Sequence, residues 1–168
     1  MTKSVDLIKL RNLTEQLLDE LGLDRANESF RETPRRVSAF WREFVNREEP
    51  KITVFPSDST ELIKLNEYET WGLCGHHLLP VKYLVDVAYI PNGKVFGISK
   101  LPRIVDYLLR TLPLQEDLPK LVVDYLHYAL DVKYAECSVE GMHLCMVIRG
   151  VKAKNCTLTT YHSLDKRT

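Results

Sequence analysis

Neither sign of charge predominates in this chain of 168 residues: Lys and Arg together number 23, and so do Asp and Glu. Without a net field the protein is not built for nonspecific attraction to nucleic acid, an anionic membrane or an acidic partner, so any anion site must be local. No uninterrupted apolar run is long enough to cross a bilayer, and Met1 to Leu23 interleaves charges with its apolar residues instead of forming a signal peptide. The reading is a soluble, cytoplasmic protein with no membrane and no nucleic-acid partner. Cysteine is scarce, at Cys74, Cys137, Cys145 and Cys156. In a reducing compartment, and in a chain long enough to bury its own core, metal or catalytic roles suit some of these better than two disulfides, with Cys137 and Cys156 as bystanders. Repeats, low-complexity tracts and linkers are also missing. That argues for a single domain over 1–168, with N-terminal helices over 1–48 and a ββααββ core over 52–163.

What is present is patterned. Leu7, Leu10, Leu13, Leu17, Leu18 and Leu21 recur at spacings of three and four before Gly22, which predicts a helix from Val5 to Leu21. A second helix is expected to begin at Thr33-Pro34, with Val37, Phe40, Trp41 and Phe44 on one face. From about Ile52 the pattern turns to strands. Val81 to Ile90 alternates Val81, Tyr83, Val85, Val87 and Tyr89 onto one side, and Pro91-Asn92-Gly93 predicts a hairpin into Lys94 to Ile98. Helices are expected after Ser99 and after Asp117-Leu118-Pro119. Strands then return at roughly Val132–Val139, Leu144–Arg149 and Thr157–His162. The fold class is α+β, an antiparallel sheet with helices on one face, and its edges are economically covered by neighbouring subunits.

The densest cluster of reactive side chains is Cys74-Gly75-His76-His77. In a straight strand Cys74 and His77 would face opposite sides, so both reach one metal only if the chain turns between them, which Gly75 makes easy. His143 and Cys145 lie two apart in an expected strand and so share a face. Two cysteines and a histidine would leave one tetrahedral position of zinc open for water, as in a catalytic site, and thiolate with imidazole favours zinc over magnesium or calcium. His76 and His143 would then stand beside the metal with pKa values suited to proton transfer. Spacing by itself leaves open whether the two segments meet, because buried cysteines and hydrogen-bonded core histidines are common.

Anion-binding groups are also legible. Ser99 stands where a helix N-cap is expected, Lys100 and Arg103 lie one turn apart behind it, and a helix N-terminus favours phosphate. Arg149 has the same strand parity as Cys145 and would sit about 13 Å beyond it, close to the length of a nucleoside triphosphate. Equally, these are ordinary solvated charges. Gln115-Glu116 falls between two helices, where polar residues are unremarkable, although an amide and a carboxylate could pair with the edge of guanine.

Together, CGHHLLP (74–80), VAYIPNGKVFGISKLPRIVDY (87–107), LQEDL (114–118) and MHLCMVIRGVK (142–152) resemble GTP cyclohydrolase I in order, spacing and wording, and Glu32 to Val37 looks like that family's ETPxRV segment. The likeness spans nearly all of residues 20 to 160. It implies a tunnelling fold assembling into a toroidal homodecamer with active sites at subunit interfaces. By motif match it implies zinc on Cys74, His77 and Cys145, proton transfer by His76 and His143, and guanine held by Gln115 and Glu116. A triphosphate grip of Lys100, Arg103 and Arg149 follows in the same way, with Ser99 near the ribose and phosphates and Arg36 as a further phosphate contact. The implied reaction has hydroxide generated at zinc attack C8 of GTP while His76 protonates N7. The ring then opens, formate leaves, and the ribose recloses as 7,8-dihydroneopterin triphosphate.

Some features depart from that family. Gly75 stands where glutamate is usual, removing a hydrogen-bond acceptor next to the metal. Both ends are short, which suggests a minimal core without regulatory apparatus. Two further readings follow: a related tunnelling-fold enzyme of purine, pterin or 7-deazaguanine metabolism, or a nucleotide-binding homologue weakened in catalysis.

Overall fold

The computed structural model describes residues 5–45 and 48–167. The chain divides into two compact units, Met1–Arg47 and Glu48–Thr168. In the first, α1 (Leu7–Glu20), α2 (Glu28–Arg31) and α3 (Thr33–Val45) follow one another, and α1 packs on α3. The Asp6 side chain caps α1 by accepting from the Lys9 amide. Arg25 ties the following turn back to α1 through Glu15 and Asp19, at 3.0 and 2.8 Å. Both expected N-terminal helices are present, and α2 is an addition to them.

The second unit holds β1 (Val54–Pro56), β2 (Ile63–Leu73), β3 (Pro80–Ile90), β4 (Lys94–Phe96), α4 (Lys100–Leu109), α5 (Leu118–Leu130), β5 (Tyr134–His143), α6 (Leu144–Val147) and β6 (Leu158–Asp165). Its main sheet is antiparallel in the order β2-β3-β5-β6, with α4 and α5 falling in sequence between β3 and β5. The alternation along β3 is realised: Val81, Tyr83, Val85, Val87 and Tyr89 are buried on one face. Ala135, Cys137 and Val139 of β5 join them against Ile104, Val105 and Leu108 of α4 and Val122 and Leu126 of α5. Burying that apolar surface is what holds the helices to one side of the sheet. On the opposite face Trp71 and Leu84 are exposed among ion pairs such as Lys82–Glu69.

Three sequence expectations are corrected. The turn at Pro91-Asn92-Gly93 exists, with Gly93 at φ 75°, but β4 pairs with β1 and not back onto β3. β3 has no free edge to offer, because β2 occupies one side and β5 the other over nearly its whole length. The strand that pairs first with β3 is thus β2, whose boundaries the sequence pattern did not bring out. The strand expected over Leu144–Arg149 is absent. β5 runs on to His143, opposite Val81, where its partner reaches only Pro80, which carries no amide hydrogen. With no ladder to join, Leu144–Val147 closes a helical turn. Finally, Ser99 precedes α4 in a right-handed helical conformation and makes no side-chain cap bond.

Besides its apolar face, one carboxylate ties helix α4 to the sheet. Asp106 accepts hydrogen bonds from the Tyr68 hydroxyl at 2.9 Å and the Thr70 hydroxyl at 2.8 Å, both on β2. Asp106→Ala is expected to cost about 1–3 kcal/mol by stranding two partly buried hydroxyls, read as a lower urea midpoint with an unchanged slope. A second expectation concerns His127 on α5, which is only 8% exposed. Burial, and then the Lys166 charge, hold its pKa below the ordinary value, so the folded protein keeps the ring neutral. The unfolded chain binds the proton first as pH falls, so stability drops on acidification from about 6.5 down to the folded pKa and levels off below it. His127→Leu should lose that component of the pH dependence, measured as the thermal midpoint across pH 5 to 8.

Candidate metal centre

The connection from β2 to β3 is a tight turn. The Cys74 amide donates to the Leu79 carbonyl at 2.8 Å, and the Cys74 carbonyl accepts from the Leu78 amide at 2.7 Å and the His77 amide at 3.3 Å. The chain therefore does turn between Cys74 and His77, as sharing an ion requires. Its left-handed residue is Leu78, at φ 55°, and not Gly75. The glycine serves a different purpose. A β-carbon at position 75 would lie 3.1 Å from the Leu112 carbonyl oxygen in the connection between α4 and α5, so the missing side chain lets the two loops approach.

From the far end of the sequence, β5 delivers His143 and α6 delivers Cys145 to the same place. The sulfurs of Cys74 and Cys145 are 3.9 Å apart, and the Cys74 sulfur lies 3.7 Å from Nδ1 of His77. One ligand atom from each of Cys74, His77 and Cys145 falls within 4.8 Å of the others. Two sulfurs about 2.3 Å from zinc in tetrahedral geometry would be roughly 3.8 Å apart, and a sulfur and a nitrogen roughly 3.6 Å. The donor set and its spacing fit such an ion. His76 stands beside the cluster, its Nδ1 4.0 Å from the Cys74 sulfur.

These residues line one cavity of about 230 Å³, together with Tyr83, Pro113, Leu114, Gln115, Glu116, His143 and Met146. Burial lowers the pKa of His143, reinforced by the nearby His76 and opposed by Glu116, which keeps the ring neutral to lower pH than an exposed histidine. The Cys145 thiol is pushed up by burial and by its bond to Cys74, with the Arg149 guanidinium pulling the other way. Tyr83, beneath the site, is raised to about 12, first by burial and then by the Cys74 sulfur.

The expected site residues separate into two groups. Cys74, His76, His77, Gln115, Glu116, His143 and Cys145 come together, although 71 residues separate the two cysteines. Ser99, Lys100, Arg103 and Arg149 do not line the cavity. The first three begin α4, whose axis runs about 14 Å before its last turn reaches the metal end of the sheet. Arg149 is exposed just after α6, so the extended spacing expected between it and Cys145 does not exist: a helical turn lies between them. Arg36 is exposed on α3, in the other compact unit.

Gln115 differs from expectation in a more instructive way. It is only 2% exposed, and both ends of its amide are occupied. Nε2 donates to the carbonyls of Leu158 at 2.6 Å and Val139 at 3.2 Å, while Oε1 sits 2.6 Å from Nε2 of His143. The sequence offered one unused signal for this pairing. Gly141 interrupts an otherwise well-formed strand, and an isolated strand glycine often marks a close approach by another group. A β-carbon there would meet Gln115 Oε1 at 2.2 Å.

Comparison with known proteins gives the family. The chain is 36% identical over 158 residues to a GTP cyclohydrolase 1 of Methylococcus capsulatus, covering 90% of this chain and 85% of that protein. It is 37% identical over 150 residues to the Coxiella burnetii protein of the same name (86% and 82% covered), and 35% identical over 157 residues to that of Leptospira biflexa (90% and 86%). An archaeosine synthase QueF-like structure superposes on 64% of the chain and 95% of its own length with a TM-score of 0.48 at 15% identity, too distant to add to the assignment. The sequence profile of the GTP cyclohydrolase I family matches residues 10–166. On that match and those relatives, the chain belongs to the GTP cyclohydrolase I family.

Proposed function

We propose that the protein hydrolyses GTP to 7,8-dihydroneopterin triphosphate and formate, with zinc held by Cys74, His77 and Cys145. The observation that carries this reading is the convergence of those three donors, from segments remote in sequence, in a cavity that also holds His76, His143 and Glu116. When bound, zinc would supply Lewis acidity and a water that ionises near neutral pH. His76, beside the cluster, is suited to deliver a proton to N7 of the purine as the bond to C8 opens. His143, kept neutral by burial, is suited to accept one. The exposed carboxylate of Glu116 can accept from the N–H groups on the guanine edge. Carbon C8 leaves as formate, and the ribose carbons close the new ring.

The triphosphate needs more than this cavity. Its volume of about 230 Å³ lies below the range of roughly 300–1,000 Å³ usual for small-molecule sites, and the cations Lys100, Arg103 and Arg149 are outside its lining. Both facts support a site completed between copies of the chain, in which Ser99, Lys100 and Arg103 on α4 serve the phosphates of a GTP held by a neighbour, with Arg149 and Arg36 as further contacts. β2 and β6, the outer strands of the main sheet, offer edges for such an assembly, which we take to be the ring-shaped decamer. Among the described residues no helix is long and apolar enough to cross a membrane, and the four cysteines are free thiols.

Zinc content and formate release test the assignment together. Wild-type protein incubated with zinc and GTP is expected to release formate and develop a pterin chromophore. Cys145→Ser should lose both stoichiometric zinc and turnover, and retention of both would refute the ligand set. A second test isolates the carboxylate that Gly75 lacks. Gly75→Ala and Gly75→Glu place the same β-carbon against the Leu112 carbonyl, so their ratio cancels that crowding and reports the rest of the glutamate side chain. The glutamate variant is expected to turn over faster than the alanine variant; equal rates would mean the carboxylate contributes nothing.

A further inference from the structure

We propose that Gln115 is a positioning residue for His143, holding it as the Nε2–H tautomer, and that it does not read the base. The proposal rests on the cyclohydrolase reading only for the identity of the substrate. The orientation of the Gln115 amide is dictated by its surroundings. Its nitrogen lies against two carbonyl oxygens, those of Leu158 and Val139, and turning the amide over would set oxygen against oxygen at 2.6 and 3.2 Å. Oε1 must therefore face His143, and an oxygen with only lone pairs can accept there but not donate. Nε2 of His143, 2.6 Å away, carries the hydrogen, and Nδ1 is left as the one ring atom able to take a proton.

The clamp is built from behind as well. The Gln115 carbonyl accepts from the Thr160 hydroxyl at 3.2 Å, and Gly141 has no β-carbon where the Gln115 carboxamide lies. With both amide hydrogens given to backbone carbonyls and its oxygen to a histidine, the Gln115 side chain has no donor left for a purine. Base reading then falls to Glu116, the next residue, which is exposed and lines the cavity.

Two variants separate positioning from base reading. Gln115→Leu removes the acceptor, and Gly141→Ala, whose β-carbon would also press on the Tyr83 ring at 3.0 Å, displaces the amide without changing the identity of Gln115 or His143. Imidazole nitrogen shifts of nitrogen-15 histidine-labelled full-length protein, without and with zinc at a pH where the rings are neutral, report the tautomer, with His143→Gln identifying the signal. Wild type should show Nε2–H at His143, and both variants should give a mixed or Nδ1–H population. Finding Nδ1–H in the wild type overturns the proposal. In steady-state turnover of GTP, both variants should lower kcat by at least about tenfold while KM moves less than about threefold. A raised KM with kcat intact would instead make Gln115 a base reader. If the wild type releases no formate at all, the proposed activity fails, and the nitrogen shifts still decide the positioning claim.

Discussion

The pairing register of β3 with β5 decides whether this molecule has a site. Val81 lies opposite His143, so the turn that precedes β3 and the residues that follow β5 meet at one end of the sheet. Because side chains alternate across a strand, a slip of one residue would carry His143 to the open face with Leu84 and Trp71 and pull Cys145 away from Cys74. What fixes the register is burial. Val81, Tyr83, Val85 and Val87 of β3 and Ala135, Cys137 and Val139 of β5 share one core under α4 and α5, and a one-residue slip of either strand would turn that strand's own set out of it. The three candidate metal donors thus inherit their spacing from hydrophobic packing several residues away.

The connection between α4 and α5 closes the cavity against that end of the sheet. It approaches closely because glycines remove side chains from its path: Gly75 faces the Leu112 carbonyl, and Gly141 lies under the Gln115 amide. Leu112 itself takes a left-handed conformation at φ 55°. Such a residue carries backbone strain that its surroundings must offset, and here the offset includes a fully hydrogen-bonded Gln115 and a Leu118 with no exposed surface. The loop couples metal turn, histidine and carboxylate into one rigid arrangement, which is what proton transfer at defined atoms requires.

Much of this was readable before any coordinates. The alternation in β3, the leucine spacing of α1 and the apolar faces of α4 and α5 were visible because each is a local periodicity tied to one burial direction. The candidate ligand trio was visible as Cys-x-x-His and a distant His-x-Cys, two fragments whose meeting the sequence could suggest through family likeness but not demonstrate. Expectations went wrong where the partner mattered more than the pattern. Lys94–Phe96 reads as half of a hairpin with β3, yet it pairs with β1 because β3 is already taken on both edges. Leu144–Val147 reads as strand, yet it coils because the ladder has run out.

By itself, the sequence determined which residue types were available, the direction in which each regular element buries its side chains, and membership of a family through motifs in fixed order. These are properties of neighbours along the chain. Only the tertiary structure decided that Gln115 faces inward to His143, that Gly75 lies at a close approach and does not make the turn, and that the cations of α4 lie outside the cavity lined by the candidate metal donors. Each depends on a contact between residues far apart in sequence, and such a contact is set by the summed packing of the whole core, which no local pattern records.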